Sequence, residues 1–264
     1  MKQRGFLFFV YLIGIGLASL CASAEQVQKQ ESDELFPVQV QQGNTWTYTD
    51  KTGQPVIKLQ PHVYEAYSFS DGRARVRIGS KFGYIDRTGR MVIQPRFDEA
   101  YDFSEGFARV TFGAVMIPEL MGVFKAGYID TTGKVAIKPR FFFVYVGGEL
   151  ETLQDFSEGL AGIRISNKWG YLDKTGKTAI EPKFEEAKPF SQGLAIVRLR
   201  GKYGYIDKSG EIVIRPQFDK AWSFSPQGLA SVQIGQEIKF IDRTGMAVRV
   251  FKDESGNYIW QPKK

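Results

Sequence analysis

The chain repeats one phrase six times: an apolar segment with strand character, an Asp-x-Thr/Ser-Gly turn and a second apolar segment. The turns fall at residues 50–53, 86–89, 130–133, 173–176, 207–210 and 242–245. Successive turn aspartates lie 36, 44, 43, 34 and 35 positions apart, which is the spacing of a repeat array. Because nearly every unusual residue recurs in register, architecture accounts for these residues before chemistry does.

The first strand of each copy carries apolar columns on both of its faces. The position of Phe82 is filled by Trp46, Ala126, Trp169, Tyr203 and Ile238 in the other copies. The column of Tyr84 is aromatic throughout, with Tyr48, Tyr128, Tyr171, Tyr205 and Phe240. An aliphatic column that includes Ile85 comes directly after it. Since neighbouring side chains of a strand point to opposite faces, this pattern predicts units that cover one another.

The turn residues have a conformational explanation. An aspartate such as Asp86 or Asp173 accepts hydrogen bonds from the turn backbone, and a glycine such as Gly89 or Gly176 tolerates positive φ. The phrase therefore predicts a type I turn closed by a glycine bulge between two strands. Protease or calcium chemistry would need converging acidic groups, whereas these aspartates belong to separate turns.

The second strand ends in an isoleucine column, Ile57, Ile93, Ile137, Ile180 and Ile214, with a proline shortly after it. A third segment then repeats a phenylalanine and an alanine column. In the last copy Arg249 takes the place where an apolar residue is expected, which suits a terminal cap. The prediction is an all-β fold of about six tandem three-stranded antiparallel units in a solenoid-like array, with degenerate terminal copies. The alternative is a propeller-like closed ring.

The N-terminal residues have the layout of a secretory signal peptide. Lys2 and Arg4 precede an uncharged apolar run, and a small-x-small site ends at Ala24. We expect cleavage after Ala24 and a periplasmic or secreted product with no transmembrane segment after signal removal. A lipoprotein anchored at Cys21, the only cysteine, is the alternative. The predicted domains are a signal peptide over 1–24, a polar linker over 25–43, the β-repeat domain over 44–250, and a tail over 251–264 that can add a capping strand.

The repeats resemble the WG-repeat family of bacterial proteins. Lys168-Trp169-Gly170-Tyr171-Leu172-Asp173 and the residues up to Phe184 match that pattern at nearly every position. The segments 81–97 and 202–218 match it with Phe82 and Tyr203 in place of the tryptophan. The resemblance implies a β-repeat architecture, frequent export and no shared catalytic residues.

The residue types and motifs of the sequence give little support for catalysis or metal binding. His62 is the only histidine, so neither a histidine triad nor a multi-histidine metal site can form. No glycine-rich phosphate loop precedes a helix pattern. We therefore expect no cofactor, no metal and no enzymatic activity. The competing hypothesis is an envelope hydrolase built from the insertions 113–122 and 142–154, where Glu119, Glu149 and Glu151 lie outside the repeat pattern.

Basic residues give the best candidate for a binding surface. The formal net charge is +6, or +4 without Lys2 and Arg4. Five arginines occupy polar positions of the third strands: Arg75, Arg77, Arg109, Arg164 and Arg198. A second basic column flanks the prolines: Arg96, Lys138, Arg140, Lys183 and Arg215. Rows of arginine can take carboxylates or phosphates, or they can protect strand edges from aggregation.

The leading hypothesis is a non-catalytic binding or scaffolding module of the bacterial envelope. Its partner would be a protein or an anionic envelope polymer rather than nucleic acid, because an exported protein rarely meets nucleic acid. A purely structural spacer is a further alternative. The sequence does not determine the oligomeric state.

Localisation has a direct test. We expect mass spectrometry of the native protein to show a chain that begins at Glu25. A chain that begins at a diacylated Cys21 would contradict cleavage after Ala24 and establish the lipoprotein alternative.

Overall fold

The structure is a computed structural model that describes residues 34–40, 45–117, 120–144, 152–252 and 258–262. These residues form strands and turns and include no helix. The signal peptide and Cys21 lie outside the described residues. The chain divides into two compact units, Met1–Pro95 and Arg96–Lys264, and each is described by itself.

The first unit contains one complete antiparallel sheet and most of a second. The first sheet has the order β1-β2-β3, with β1 Phe36–Val40, β2 Thr45–Thr49 and β3 Pro55–Lys58. The second is a four-stranded meander of β4 Val63–Ala66, β5 Arg73–Ile78, β6 Lys81–Asp86 and β7 Met91–Phe97. Strand β1 falls inside the segment predicted as a polar linker, so part of that segment is strand.

The second unit contains four further antiparallel sheets. The first two are β8 Phe107–Ile117, β9 Leu120–Asp130 and β10 Val135–Val144, then β11 Leu160–Ile165, β12 Lys168–Asp173 and β13 Thr178–Phe184. A four-stranded sheet follows: β14 Glu186–Ala187, β15 Ala195–Leu199, β16 Lys202–Ile206 and β17 Ile212–Phe218. The last sheet has β18 Lys220–Ala221, β19 Ala230–Ile234, β20 Glu237–Ile241, β21 Ala247–Lys252 and β22 Tyr258–Pro262.

The all-β class and the tandem antiparallel units are confirmed, but each sheet is assembled from two copies of the phrase. The third strand of one copy pairs with the first strand of the next, as β15 does with β16. Short corner strands such as β14 add a fourth member. One copy of the phrase therefore does not correspond to one sheet.

The predicted turn is confirmed in detail. The Asp173 carboxylate accepts bonds from the backbone N–H of Thr175 at 2.8 Å and from its hydroxyl at 2.6 Å. The backbone N–H of Gly176 bonds to the Asp173 carbonyl at 2.9 Å, and Gly176 has φ 81°. The Thr175 hydroxyl is the main reason that the pKa of Asp173 lies below its ordinary value. The aspartates are thus committed to turn geometry.

A second turn class escaped the sequence analysis. Glu158 and Gly159 both have positive φ, at 53° and 89°, and they connect the bridged pair Ser157 and Leu160. Two consecutive residues with positive φ define a type I′ hairpin turn. The same geometry recurs at Glu105 and Gly106. The third segment of these copies therefore begins with a tight hairpin and is not one continuous strand.

The tyrosine column forms the centre of the core. Tyr48, Tyr84, Tyr128, Tyr171 and Tyr205 are all between 0% and 1% exposed. The ring of Tyr171 contacts that of Phe190 in the next sheet, with centroids 4.8 Å apart. Its hydroxyl donates to the Lys188 carbonyl at 2.6 Å. The rings of Tyr48, Tyr128, Tyr171 and Tyr205 thus each contact the next sheet while their hydroxyls stay hydrogen-bonded to a backbone carbonyl.

The isoleucine column makes the second contact between successive sheets. A Cβ atom added to Gly210 would lie 2.9 Å from Cγ2 of Ile180, and one added to Gly245 would lie 3.0 Å from Cγ2 of Ile214. In the first unit a Cβ on Gly89 would overlap Ile57. Gly89, Gly176, Gly210 and Gly245 therefore combine a positive φ with close contact to an isoleucine of the preceding sheet.

Polar contacts between the type I′ turns also join successive sheets. The hydroxyl of Ser157 donates to the Phe190 carbonyl at 2.7 Å. The carboxylate of Glu158 accepts the backbone N–H of Gly193 at 2.9 Å and forms an ion pair with Lys208 at 3.2 Å. These residues are explained by contacts between neighbouring sheets.

The last copy corrects one sequence-based expectation. Val248, not Arg249, lies opposite the aromatic position of Phe240, because β21 lacks the bulge that its counterparts contain. Val248 is buried as the isoleucines are. Phe240 is 45% exposed, and no further sheet follows it among the described residues. The contrast shows that burial of this column depends on the next sheet.

The contact between turn glycine and isoleucine can be tested with a matched pair in the first unit. Gly53 and Gly89 have the same φ of 81°, but an added Cβ meets nothing at Gly53 and overlaps Ile57 at Gly89. We expect Gly89→Ala to lower the free energy of unfolding by about 1–3 kcal/mol more than Gly53→Ala, because overpacking adds to a shared backbone cost. Denaturant unfolding measures both. Equal losses would contradict the proposed packing.

Candidate anion-binding groove

The five predicted arginines occupy two positions on the same face of their strands. Arg75 and Arg109 come directly after Ala74 and Ala108, which belong to the alanine column of the repeat. The remaining three come two residues further along and are Arg77, Arg164 and Arg198. The two positions have different surroundings, so they are described separately.

Arg75 and Arg109 are packed into the fold. The Cζ atom of Arg75 lies 3.8 Å from the ring centroid of Tyr67, and that of Arg109 lies 3.8 Å from the ring of Tyr101. Arg109 is only 6% exposed and pairs with Asp155 at 2.8 Å. Removing a partner from such a buried charge is expensive. These two arginines therefore serve the structure.

Arg77 and Arg198 each face a glutamate across the sheet. Glu65 lies opposite Arg77, and Glu186 lies opposite Arg198 with Nη1 and Oε1 2.8 Å apart. A ring hydroxyl also donates to each carboxylate: Tyr67 to Glu65 and Tyr203 to Glu186, both at 2.7 Å. The bond from Arg77 is the main reason that the pKa of Glu65 lies below its ordinary value. The repeat thus supplies these arginines with their own anion.

Arg164 differs from its two counterparts. Its backbone N–H donates to the Thr152 carbonyl at 2.8 Å, so Thr152 takes the strand position that Glu65 and Glu186 have in the other sheets. The guanidinium donates to the side-chain oxygen of Asn167. Among the described residues no carboxylate pairs with it. Arg164 is the member of the set whose charge the repeat does not compensate.

Arg164 borders a groove of about 620 Å³. The described residues that line it are Arg140, Phe141, Thr152, Ile163, Arg164, Ile165, Ser166, Asn167 and Thr178. They include two arginines and several hydroxyl and amide groups, and no aspartate or glutamate. Arg140 donates to the Gly176 carbonyl, a polar acceptor that leaves its charge in place. The groove therefore brings one member of each predicted basic column to the same place.

Other members of the second basic column serve the structure or line other grooves. Arg96 donates to the Gly133 carbonyl at 2.5 Å, and Lys183 lies over the ring of Phe184. Arg215 lines a groove of about 550 Å³ together with Arg200 and Lys202, although Lys202 pairs with Asp219 at 2.5 Å. Lys138 is exposed on β10.

A third groove, of about 350 Å³, contains Trp222 and the paired Glu186 and Arg198. Its lining also includes Asp219. Two acidic side chains lie beside three basic ones in this lining, Lys188, Arg198 and Lys220, whereas the described lining of the groove at Arg164 contains no acidic group.

The aromatic repeat positions and His62 are explained without a ligand. Phe82 and Trp169 are buried, Trp169 at 8% exposure. Trp46 donates from its ring nitrogen to the Tyr64 carbonyl at 3.1 Å. His62 is exposed.

The residues of the alternative catalytic site lie largely outside the described part of the chain. Glu119, Glu149 and Glu151 are among the residues whose structure is not described. The first insertion lengthens β8 and β9, and the second lengthens β10. Within the described ranges no three aspartate, glutamate, histidine or cysteine residues come together as a metal site. No helix in those ranges has the length and hydropathy to span a membrane.

Comparisons with known proteins agree on the repeat. The family described as "WG containing repeat" matches residues 46–82, 82–114, 127–145, 149–169, 169–203 and 203–237, so the resemblance noted in the sequence is confirmed. No curated protein matches the chain.

Several solved structures are similar to this chain at low sequence identity. One described as a eukaryotic initiation factor is 13% identical with a TM-score of 0.51, over 79% of this chain and 59% of the other. A protein of unknown function from Bacteroides caccae is 12% identical with a TM-score of 0.28, over 80% and 91%. The AfRom2 CNH domain is 9% identical with a TM-score of 0.33, over 87% and 93%. The chain thus spans about three fifths of the initiation factor.

The ion pair of Glu65 predicts a pH dependence of stability. Because the pKa of this carboxylate is lowered by folding, its contribution is present above the unfolded value of about 4.3 and is lost as pH falls through the folded value. We expect the melting temperature to fall less steeply below about pH 5 in Glu65→Gln than in the natural protein. Thermal unfolding between about pH 3 and pH 7 checks this. Glu211→Gln, at an exposed glutamate, is the control, and identical acid limbs for Glu65→Gln and the natural protein would contradict the account.

Proposed function

The chain belongs to the WG-repeat family, and we propose that it is an exported, non-catalytic module of the bacterial envelope that binds an anionic partner in the groove at Arg140 and Arg164. The observation that carries this proposal is that no carboxylate among the described residues pairs with Arg164. Arg77 and Arg198, at the same position of other sheets, are each paired with a glutamate. A guanidinium that the fold leaves without a carboxylate is available to an external one.

The composition of the groove supports binding rather than reaction. Guanidinium groups stay protonated at any physiological pH, and hydroxyl and amide groups orient an anion without transferring charge to it. Phe141 and Ile165 give the groove an apolar border. Small-molecule and peptide sites commonly combine such walls with a few placed donors.

The overall charge supports the same kind of partner. The formal net charge of +4 that remains without Lys2 and Arg4 attracts polyanions from a distance, and Arg140 and Arg164 place positive charge in the groove. The signal-peptide pattern of residues 1–24 supports a location where cell-wall polymers, lipids and exported proteins are the anionic components.

The groove can be tested with two double variants that remove equal charge. Arg140→Gln with Arg164→Gln alters the proposed site, whereas Arg200→Gln with Arg215→Gln alters the neighbouring basic groove. Poly-L-glutamate, polygalacturonate and polyphosphate serve as probes, with affinity measured at rising salt. We expect the first double variant to lose at least about tenfold in affinity and much of the salt dependence, because screening acts on the charges removed.

The control double variant should keep most of its affinity. Equal weakening of both variants would show that net charge alone drives association, and selective weakening of the control would place the site in the other groove. Either result would refute the proposed site. Thermal unfolding of both variants confirms that each is folded.

A further inference from the structure

In two other sheets the arginine at the position equivalent to Arg164 binds a glutamate of the same chain. In the sheet of β14–β17, Glu186 reaches across from β14 and places Oε1 2.8 Å from Nη1 of Arg198. In the sheet of β4–β7, Glu65 reaches Arg77 from the equivalent position. In both cases the carboxylate is carried on a two-carbon aliphatic stem and also accepts a hydrogen bond from a tyrosine hydroxyl. The fold thus presents this arginine to a glutamate side chain twice.

Thr152 breaks that pattern where the groove lies. Its backbone keeps the ladder bond to Arg164, but its side chain is two heavy atoms shorter than glutamate and carries no charge. The hydroxyl oxygen of Thr152 is buried and makes no hydrogen bond within the described part of the chain. A buried polar atom without a partner is uncommon in folded proteins. The place of the glutamate is therefore left with an unused hydroxyl on one side and a guanidinium on the other.

We propose that the groove at Arg164 binds a glutamate side chain of an acidic peptide segment in a partner protein, which fills the place that Glu65 and Glu186 occupy in the other sheets. The proposal rests on the proposed function, since it specifies the anion that the groove takes. The ligand carboxylate accepts from the Arg164 guanidinium and from the Thr152 hydroxyl.

The shape of the ligand favours a peptide over a polysaccharide. A glutamate side chain carries its carboxylate at the end of a slim apolar stem, which suits a groove bordered by the apolar residues Phe141 and Ile165. A uronate carries the same group directly on a sugar ring, which would have to enter the space that a two-carbon stem fills in the other sheets. The groove volume of about 620 Å³ lies in the range that holds a few residues of an extended segment.

The sharpest test fills the site from within. Thr152→Glu restores the residue that the other sheets have and should occupy Arg164, whereas Thr152→Gln has the same size without the charge. The probe is fluorescein-labelled hexa-L-glutamate, with polygalacturonate and polyphosphate as competitors, and binding is followed by fluorescence polarisation on the full chain. Arg164→Gln removes the guanidinium, and Arg198→Gln removes one that is already paired.

We expect Thr152→Glu and Arg164→Gln to weaken hexaglutamate binding about tenfold, as the loss of one charge-assisted pair implies. Thr152→Gln should weaken binding much less, and Arg198→Gln should leave it near the natural value. Thr152→Glu should also raise the melting temperature, a change that a misfolded variant would not show. Polygalacturonate and polyphosphate should compete weakly.

Three outcomes would overturn the inference. Equal loss in Thr152→Glu and Thr152→Gln would show that the side-chain volume matters and the carboxylate does not. Equal loss in Arg198→Gln and Arg164→Gln would show that the copies do not differ. Tight binding of polygalacturonate or polyphosphate without hexaglutamate would refute the peptide ligand while the proposed function stands, and absence of binding to all three probes would refute both.

Discussion

The contact on which the rest of the structure depends is the one between a tyrosine ring of one sheet and the corner of the next. The ring is fully buried, and its hydroxyl bonds to a carbonyl such as that of Lys188. Phe240, which has no following sheet among the described residues, is 45% exposed. A small sheet therefore completes its core only with a neighbour, as expected for a repeat protein whose stability is a sum of nearest-neighbour terms. Contacts between a turn glycine and an isoleucine, such as Gly210 and Ile180, also join one sheet to the next, as do the hydrogen bonds between type I′ turns.

This dependence explains why so many polar residues of the chain have structural roles. The turn aspartates accept backbone bonds, Glu158 joins two turns, and Arg109 is packed between Asp155 and a tyrosine ring. In a repeat each such role recurs, and it is visible as a column. The residue that carries function is then the one that departs from its column while its neighbours keep theirs. Arg164 with Thr152 is such a departure, because the strand pairing is retained and the counter-charge is not.

The features of the fold that depend on local sequence were predicted correctly. The Asp-x-Thr-Gly turns and the buried aromatic column follow from two-residue periodicity and turn chemistry, and the structure confirms them. The assembly of each sheet from two copies was not predicted, because each copy was taken to begin with the strand before its aspartate turn. The pairing of that strand with the third strand of the preceding copy has no sequence mark. The type I′ turns were missed since Glu158 is an unusual residue for positive φ. Val248, and not Arg249, occupies the buried position of the last copy because β21 lacks a bulge and its register is shifted by one residue. The repeated columns of the sequence do not show where a bulge is lost.

The candidate site was predicted only in part. Five arginines were named from one pattern, but the sequence could not distinguish Arg77 and Arg198, which have glutamates opposite, from Arg164, which has none. Their partners come from the corner strand, and the insertion over 142–154 obscures which residue of that copy corresponds to Glu186. Thr152 became visible only through its bond to Arg164. Sequence columns thus locate a basic position, and strand pairing decides whether its charge is free.

Arg164 occupies the same strand position as Arg198 but has Thr152 opposite it where Arg198 has Glu186. A double-mutant cycle in unfolding free energy tests this most directly, with Thr152→Glu and Arg164→Gln in one cycle and Glu186→Thr and Arg198→Gln in the other. The account predicts a favourable coupling of about 0.5–1 kcal/mol between residues 152 and 164 once the glutamate is present, similar to that between Glu186 and Arg198. A coupling near zero at position 152 beside a clear coupling at Glu186 would contradict it.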